Sequence, residues 1–127
     1  MKIYEYVVNE IGKTGSSLKG YVNTTYDKLV SVLGKPSYTD ADPYAKVSCE
    51  WNLTVKVEDP YDSDDYTYED ISIYSWKYGC IPVEECSWNV GGFCFESEDI
   101  AKAILDNSIE PVSVSYTHLT LPTNREV

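Results

Sequence analysis

The fold is decided by residues 46–58, KVSCEWNLTVKVE, in which apolar and polar residues alternate along the whole stretch. The apolar positions are Val47, Cys49, Trp51, Leu53, Val55 and Val57. Successive side chains of a strand point to opposite faces, so this period of two predicts a half-buried strand of an antiparallel sheet. Residues 69–78, EDISIYSWKY, are the predicted hairpin partner of this strand.

Three shorter strands and two helices are predicted around this hairpin. The strands cover residues 2–9, 18–22 and 88–90, and the last of them ends at Gly91-Gly92. One helix is capped by Thr24 or Thr25, and a second is capped by Ser97. Their apolar residues recur at helical spacing: Tyr26, Leu29, Val30 and Leu33 in the first, and Ile100, Ala101, Ile104 and Leu105 in the second. The prediction is one α+β domain over residues 1–113, with a small antiparallel sheet of about four to five strands packed with two helices.

The C-terminal segment, residues 114–127, has a different character. VSYTHLTLPT matches the translation of a transposase mosaic end that runs into a sequencing-library adapter, so we interpret residues 114–127 as a non-native, disordered tail. The only histidine, His118, and the only arginine, Arg125, both lie in this tail. Because residues 1–113 contain neither, mechanisms that need histidine or arginine are excluded, and we expect no enzymatic activity.

The charge of the chain restricts its partners. With 10 basic and 21 acidic residues, the formal net charge is −11. Such a chain is a poor ligand for nucleic acid or for an anionic membrane, since both demand a basic face. The sequence has no apolar run of membrane-spanning length and no secretion signal, which predicts a cytoplasmic location.

Residues 58–70, EDPYDSDDYTYED, carry seven carboxylates and no cation, and we call them the acidic hairpin. Their tyrosines supply rigid contact area, and their closely spaced carboxylates imitate a phosphate backbone. The acidic hairpin is therefore the candidate binding surface for a protein with a basic face. The candidate residues are Asp59, Tyr61, Asp62, Asp64, Asp65, Tyr66, Tyr68, Glu69 and Asp70.

Two other interpretations of the acidic hairpin remain open. It is also typical of a solvated loop that keeps a sheet edge soluble. A calcium loop beginning at Asp62 is the weaker alternative, because the glycine at loop position six and the glutamate at position twelve are missing.

The four cysteines, Cys49, Cys80, Cys86 and Cys94, show no spacing typical of a zinc knuckle. Without a native histidine, a zinc site would need all four thiolates. We therefore interpret them as small buried thiols, and the sequence predicts neither a metal nor a cofactor.

Several short motifs together resemble a group of small uncharacterised proteins of bacteriophages and prophages. The motifs are Gly20-Tyr21-Val22, Thr25-Tyr26-Asp27-Lys28-Leu29, Leu33-Gly34-Lys35-Pro36, Cys49-Glu50-Trp51, Ile73-Tyr74-Ser75-Trp76-Lys77 and Trp88-Asn89-Val90-Gly91-Gly92. The resemblance implies a context, namely a small phage accessory protein, a class that includes many inhibitors of bacterial defence. The matching residues are of the core, cap and turn type, so the resemblance transfers no particular activity to this chain.

Three functional hypotheses follow. The leading one is a non-enzymatic inhibitor of a bacterial defence component, of the anti-CRISPR or anti-restriction type, that binds a basic host protein through the acidic hairpin. The second is a sponge for a small nucleotide signal, in which Trp51, Trp76, Trp88 and the tyrosines would stack on a base and lysines such as Lys28, Lys56 and Lys77 would bind phosphate. The third is a structural or assembly protein of the virion. The sequence does not define the oligomeric state.

Overall fold

The computed structural model describes residues 2–12, 14–40, 44, 46–59, 61–62, 64–76, 81–82, 84–106 and 114–116. They form one sheet and two helices. In chain order the elements are β1 (Ile3–Asn9), β2 (Ser17–Thr24), α1 (Tyr26–Leu33), β3 (Tyr38–Thr39), β4 (Cys49–Glu58), β5 (Tyr66–Tyr74), β6 (Cys86–Gly92), α2 (Ser97–Leu105) and β7 (Val114–Tyr116). The predicted α+β class is confirmed.

The sheet contains seven strands in the order β2-β6-β5-β4-β1-β7, and β3 pairs with β4 beside this path. The prediction of four to five strands was too low. β3 and β7 span two and three residues, which is too short to show an alternating pattern. All pairs among β1 to β6 are antiparallel, whereas β7 pairs with β1 in parallel. β7 lies in the segment for which we expected disorder, and residues 117–127 lie outside the described residues.

The predicted central hairpin is formed by β4 and β5. Its register runs from Glu50 opposite Tyr74 to Glu58 opposite Tyr66. β5 begins three residues before the predicted boundary, and residues 77–78 of the predicted strand lie outside the described residues. The alternating apolar residues of β4 all point into the core: Cys49, Trp51, Leu53, Val55 and Val57 are each 2% exposed or less.

Both helices pack on this core face of the sheet. Leu29 and Leu33 of α1 are buried, as is the stripe of α2 formed by Ile100, Ala101, Ile104 and Leu105. Trp51 and Trp88 meet edge-on in the middle of the core, with ring centroids 5.8 Å apart. Each indole N–H donates to a backbone carbonyl, that of Gly34 at 2.9 Å and that of Thr24 at 3.2 Å. These bonds satisfy the polar atom of each buried ring.

The two predicted helix caps had different outcomes. The Thr25 hydroxyl accepts a hydrogen bond from the backbone N–H of Lys28 at 3.0 Å, which confirms the cap of α1. The prediction for Ser97 was wrong, because this residue is the first of α2 and Glu96 occupies the cap position. The Ser97 hydroxyl is buried and donates to the carbonyl of Cys94 at 2.9 Å, so it cannot cap the helix.

The opposite face of the sheet carries no helix among the described residues, and we call it the open face. The β1–β2 connection crosses it at one end, since β4, β5 and β6 separate β1 from β2. Gly12 of this connection lies directly against the side chain of Asn52, and a Cβ at this position would collide with that amide. Asn52 is consequently buried although it lies on the polar side of β4.

Candidate functional site

The acidic hairpin lies at one end of the sheet, and its candidate residues fall into two groups. Asp59, Tyr61, Asp62, Asp64 and Asp65 lie in the connection between β4 and β5, whereas Tyr66, Tyr68, Glu69 and Asp70 lie on β5. Tyr61 is 97% exposed, and Asp62, Asp64, Asp65, Tyr66 and Tyr68 are also exposed. Carboxylates and tyrosine rings are therefore presented together over residues 59–68, which we call the tip of the hairpin.

The carboxylates of the tip also build its turn. Asp59 accepts a hydrogen bond from the backbone N–H of Tyr61 at 2.7 Å, and Asp62 accepts one from that of Asp64 at 3.0 Å. Asp65 accepts one from the backbone N–H of Tyr66 at 2.8 Å. Such local bonds from Asp to a nearby backbone N–H stabilise turns. The same residues thus supply charge and order the backbone that presents it.

Three of the nine predicted site residues, Asp59, Glu69 and Asp70, are half-buried rather than exposed. Glu69 lies opposite Val55 in the register, on the face of β5 that carries the core residues. Asp70 lies on the open face, where its carboxylate accepts a hydrogen bond from the Thr54 hydroxyl at 2.6 Å. The exposed surface is therefore narrower than the acidic hairpin as a whole.

Two residues that were not among the predicted contact residues, Lys56 and Tyr4, also lie at this surface. Lys56 of β4 lies opposite Tyr68, and its ammonium nitrogen is 4.0 Å from the ring centroid of Tyr66. The same nitrogen is 5.9 Å from the ring of Tyr4 on β1. Tyr66 and Tyr68 meet edge-on at 5.6 Å. The pairing of β4 with β5 is sufficient to predict Lys56 beside Tyr66 and Tyr68. Tyr4 lies near Lys56 because β1 pairs with the other edge of β4.

A first cavity, of about 130 Å³, lies under the β1–β2 connection. Its floor contains a chain of hydrogen bonds in which the Asn9 amide donates to Thr54 at 2.8 Å and Thr54 donates to Asp70. Asp70 is a carboxylate, and no described residue lining the cavity is a cation. These groups suit water or a small hydrogen-bond donor and disfavour a phosphate.

A second cavity, of about 260 Å³, lies between β2 and the two helices and is lined by Lys28 and Lys102. The Lys102 ammonium already binds the carboxylate of Glu98 at 3.2 Å. No aromatic residue is among the described residues that line this cavity. Of the three tryptophans, Trp51 and Trp88 are fully buried and offer no free face to a nucleobase, whereas Trp76 is 41% exposed. The described lining of this second cavity therefore does not bring lysine and aromatic groups together.

The described cysteines are free thiols. Cys49 is buried, and burial raises the pKa of its thiol to about 12. Burial is also the main cause that raises the pKa of Cys94. A raised pKa keeps a thiol protonated and unreactive at neutral pH. Cys80 lies outside the described residues, and within the described ones no group of three or more His, Cys, Asp or Glu residues has a geometry that could hold a metal ion.

Comparisons with known proteins give no match: no family model, no curated protein and no solved structure is similar to this chain. Among the helices that the structure describes, none has the length and apolar character needed to cross a membrane. The site must therefore be interpreted from its own geometry.

Proposed function

We propose that this protein is a phage-type inhibitor of a bacterial defence component and that it acts by binding, without catalysis. Its contact surface is the exposed part of the acidic hairpin. One observation carries the proposal: the tip presents the exposed carboxylates of Asp62, Asp64 and Asp65 beside exposed tyrosine rings, on a turn ordered by hydrogen bonds to the Asp62 and Asp65 carboxylates.

Electrostatics indicate the kind of partner. A surface of clustered carboxylates on a chain of net charge −11 attracts a basic surface and accelerates its association. Proteins that handle nucleic acid carry such basic surfaces, because they must neutralise phosphates. An acidic protein bound there would compete with the nucleic acid, which is a direct route to inhibition. The phage context of this proposal comes from the sequence resemblance.

The sponge hypothesis has less support. The cavity lined by Lys28 and Lys102 offers cations without an aromatic platform, and Lys102 is already paired. The acidic hairpin by contrast combines charge, exposure and backbone order in one place.

The proposal can be tested with a charge variant that preserves the turn. In the variant Asp62→Asn, Asp64→Asn, Asp65→Asn, the new amides at positions 62 and 65 keep an oxygen that accepts the same backbone N–H, while three negative charges are lost. A matched control, Glu84→Gln, Glu85→Gln, Asp106→Asn, removes three exposed carboxylates at the opposite end of the sheet. Both variants change the net charge from −11 to −8.

The measurement is capture of proteins from bacterial lysate at low and high salt, with identification by mass spectrometry. We expect the wild type and the control variant to retain the same basic nucleic-acid-handling protein, less strongly at high salt, and the hairpin variant to lose it. Equal capture by the hairpin variant and the wild type, or no capture by the wild type, would refute the proposal.

A further inference from the structure

The acidic hairpin already holds one cation, which belongs to the chain itself. The Lys56 ammonium lies 4.0 Å from the ring centroid of Tyr66 and 5.9 Å from that of Tyr4. These tyrosines come from the two strands that flank β4, so aromatic side chains approach Lys56 from both sides. A second cation, Lys2, lies 5.0 Å from the Tyr4 ring. The tyrosines are therefore arranged so that their faces accept positive charge.

The face of an aromatic ring carries negative electrostatic potential and attracts a cation within about 6 Å of its centroid. Tyr66 and Tyr68 are 46% and 56% exposed, which leaves much of each ring open to a partner. Glu58, which pairs with Tyr66 in the register, adds a carboxylate on the same face. Rings and carboxylates side by side provide both groups that recognise a guanidinium, which stacks on an aromatic face and pairs with a carboxylate.

We infer that the hairpin surface recognises arginine side chains of its partner, and that Lys56 is an internal occupant that competes with them for Tyr66. This inference rests on the proposed function and specifies the partner's chemistry. Arginine is favoured over lysine because its planar guanidinium stacks on a ring and is more weakly hydrated than an ammonium.

Hexa-arginine and hexa-lysine peptides, labelled with a fluorophore, serve as probes of the full-length protein. Lys56→Met removes the ammonium that competes for the Tyr66 ring and with it one positive charge, and Lys35→Met removes the same charge from an exposed position after α1. We expect Lys56→Met to bind hexa-arginine about two- to fivefold more tightly than Lys35→Met, which corresponds to one exposed cation–π contact. Tyr66→Leu should weaken hexa-arginine binding, and the wild type should prefer hexa-arginine to hexa-lysine.

Thermal melting establishes that each variant is folded before binding is compared. Equal affinity of Lys56→Met and Lys35→Met, or unchanged binding by Tyr66→Leu, would overturn the inference. Suppose that either negative result is found and that the variant Asp62→Asn, Asp64→Asn, Asp65→Asn nevertheless binds hexa-arginine more weakly than the wild type. The inference about arginine and Lys56 then fails, while the proposed function stands. If that variant binds hexa-arginine as the wild type does, the proposed function fails as well.

Discussion

At the scale of single residues, Glu98 joins the second helix to an irregular point of the sheet. The β2–β6 register shifts between Leu18 and Gly20, and beside this shift the Glu98 carboxylate accepts a hydrogen bond from the backbone N–H of Tyr21 at 2.8 Å. That bond and the neighbouring Lys102 ammonium lower the pKa of Glu98. Gly20 lies against the Glu98 side chain, with no room for a Cβ. A glycine is therefore required here by close packing of a helix side chain on the strand.

This packing predicts that Gly20→Ala lowers the free energy of unfolding by about 1–3 kcal/mol, the usual cost of overpacking. The cost should fall in a Glu98→Ala background, where the carboxyl group that comes closest to the added methyl is absent and only the Cβ of residue 98 remains against it. Urea denaturation of the two single variants and the double variant measures the coupling. An equal cost of Gly20→Ala in both backgrounds would mean that Glu98 is not the constraint.

At the scale of secondary structure, the sequence predicted the elements that have a clear period or a local cap. The alternation in β4 and the spacing of Leu29 and Leu33 in α1 follow from burial on one face, so they are visible in the chain. β3 and β7 are too short to show a period. The start of α2 was assigned to the wrong residue because Ser97 uses its hydroxyl in a buried contact with Cys94.

β7 provides a test at this scale, because it begins the segment that we interpret as non-native. It pairs three residues with the edge of β1, and among the described residues no other strand pairs with it. We expect removal of residues 114–127 to lower the Tm by less than about 5 °C, since only a few edge hydrogen bonds are exchanged for bonds to water.

The control for this deletion removes residues 117–127 and keeps β7. Differential scanning calorimetry of both truncated chains should show a single cooperative transition, with the shorter chain only slightly less stable. Loss of the transition in the shorter chain alone would show that β7 is an essential part of the fold.

At the scale of the whole molecule, the order of the strands brings together residues that are far apart in the sequence. The acidic hairpin was identifiable as a local run of charge, and its tip is exposed as that run suggests. The position of Tyr4 beside Lys56, more than fifty residues later in the chain, depends on β1 lying next to β4. The burial of Asn52 likewise depends on the crossing connection. Local patterns therefore predicted the charge of the site, but not the position of the Tyr4 and Tyr66 rings around Lys56 or the cavity under the β1–β2 connection.

The central claim, that the tip of the acidic hairpin contacts a basic partner, is tested most directly by zero-length carboxyl-to-amine cross-linking in bacterial lysate. Peptides joined to a partner's lysines are then identified by mass spectrometry. The account predicts cross-links at Asp62, Asp64 and Asp65, which high salt suppresses. Cross-links confined to Glu84, Glu85 or Asp106 at the other end of the sheet would contradict it.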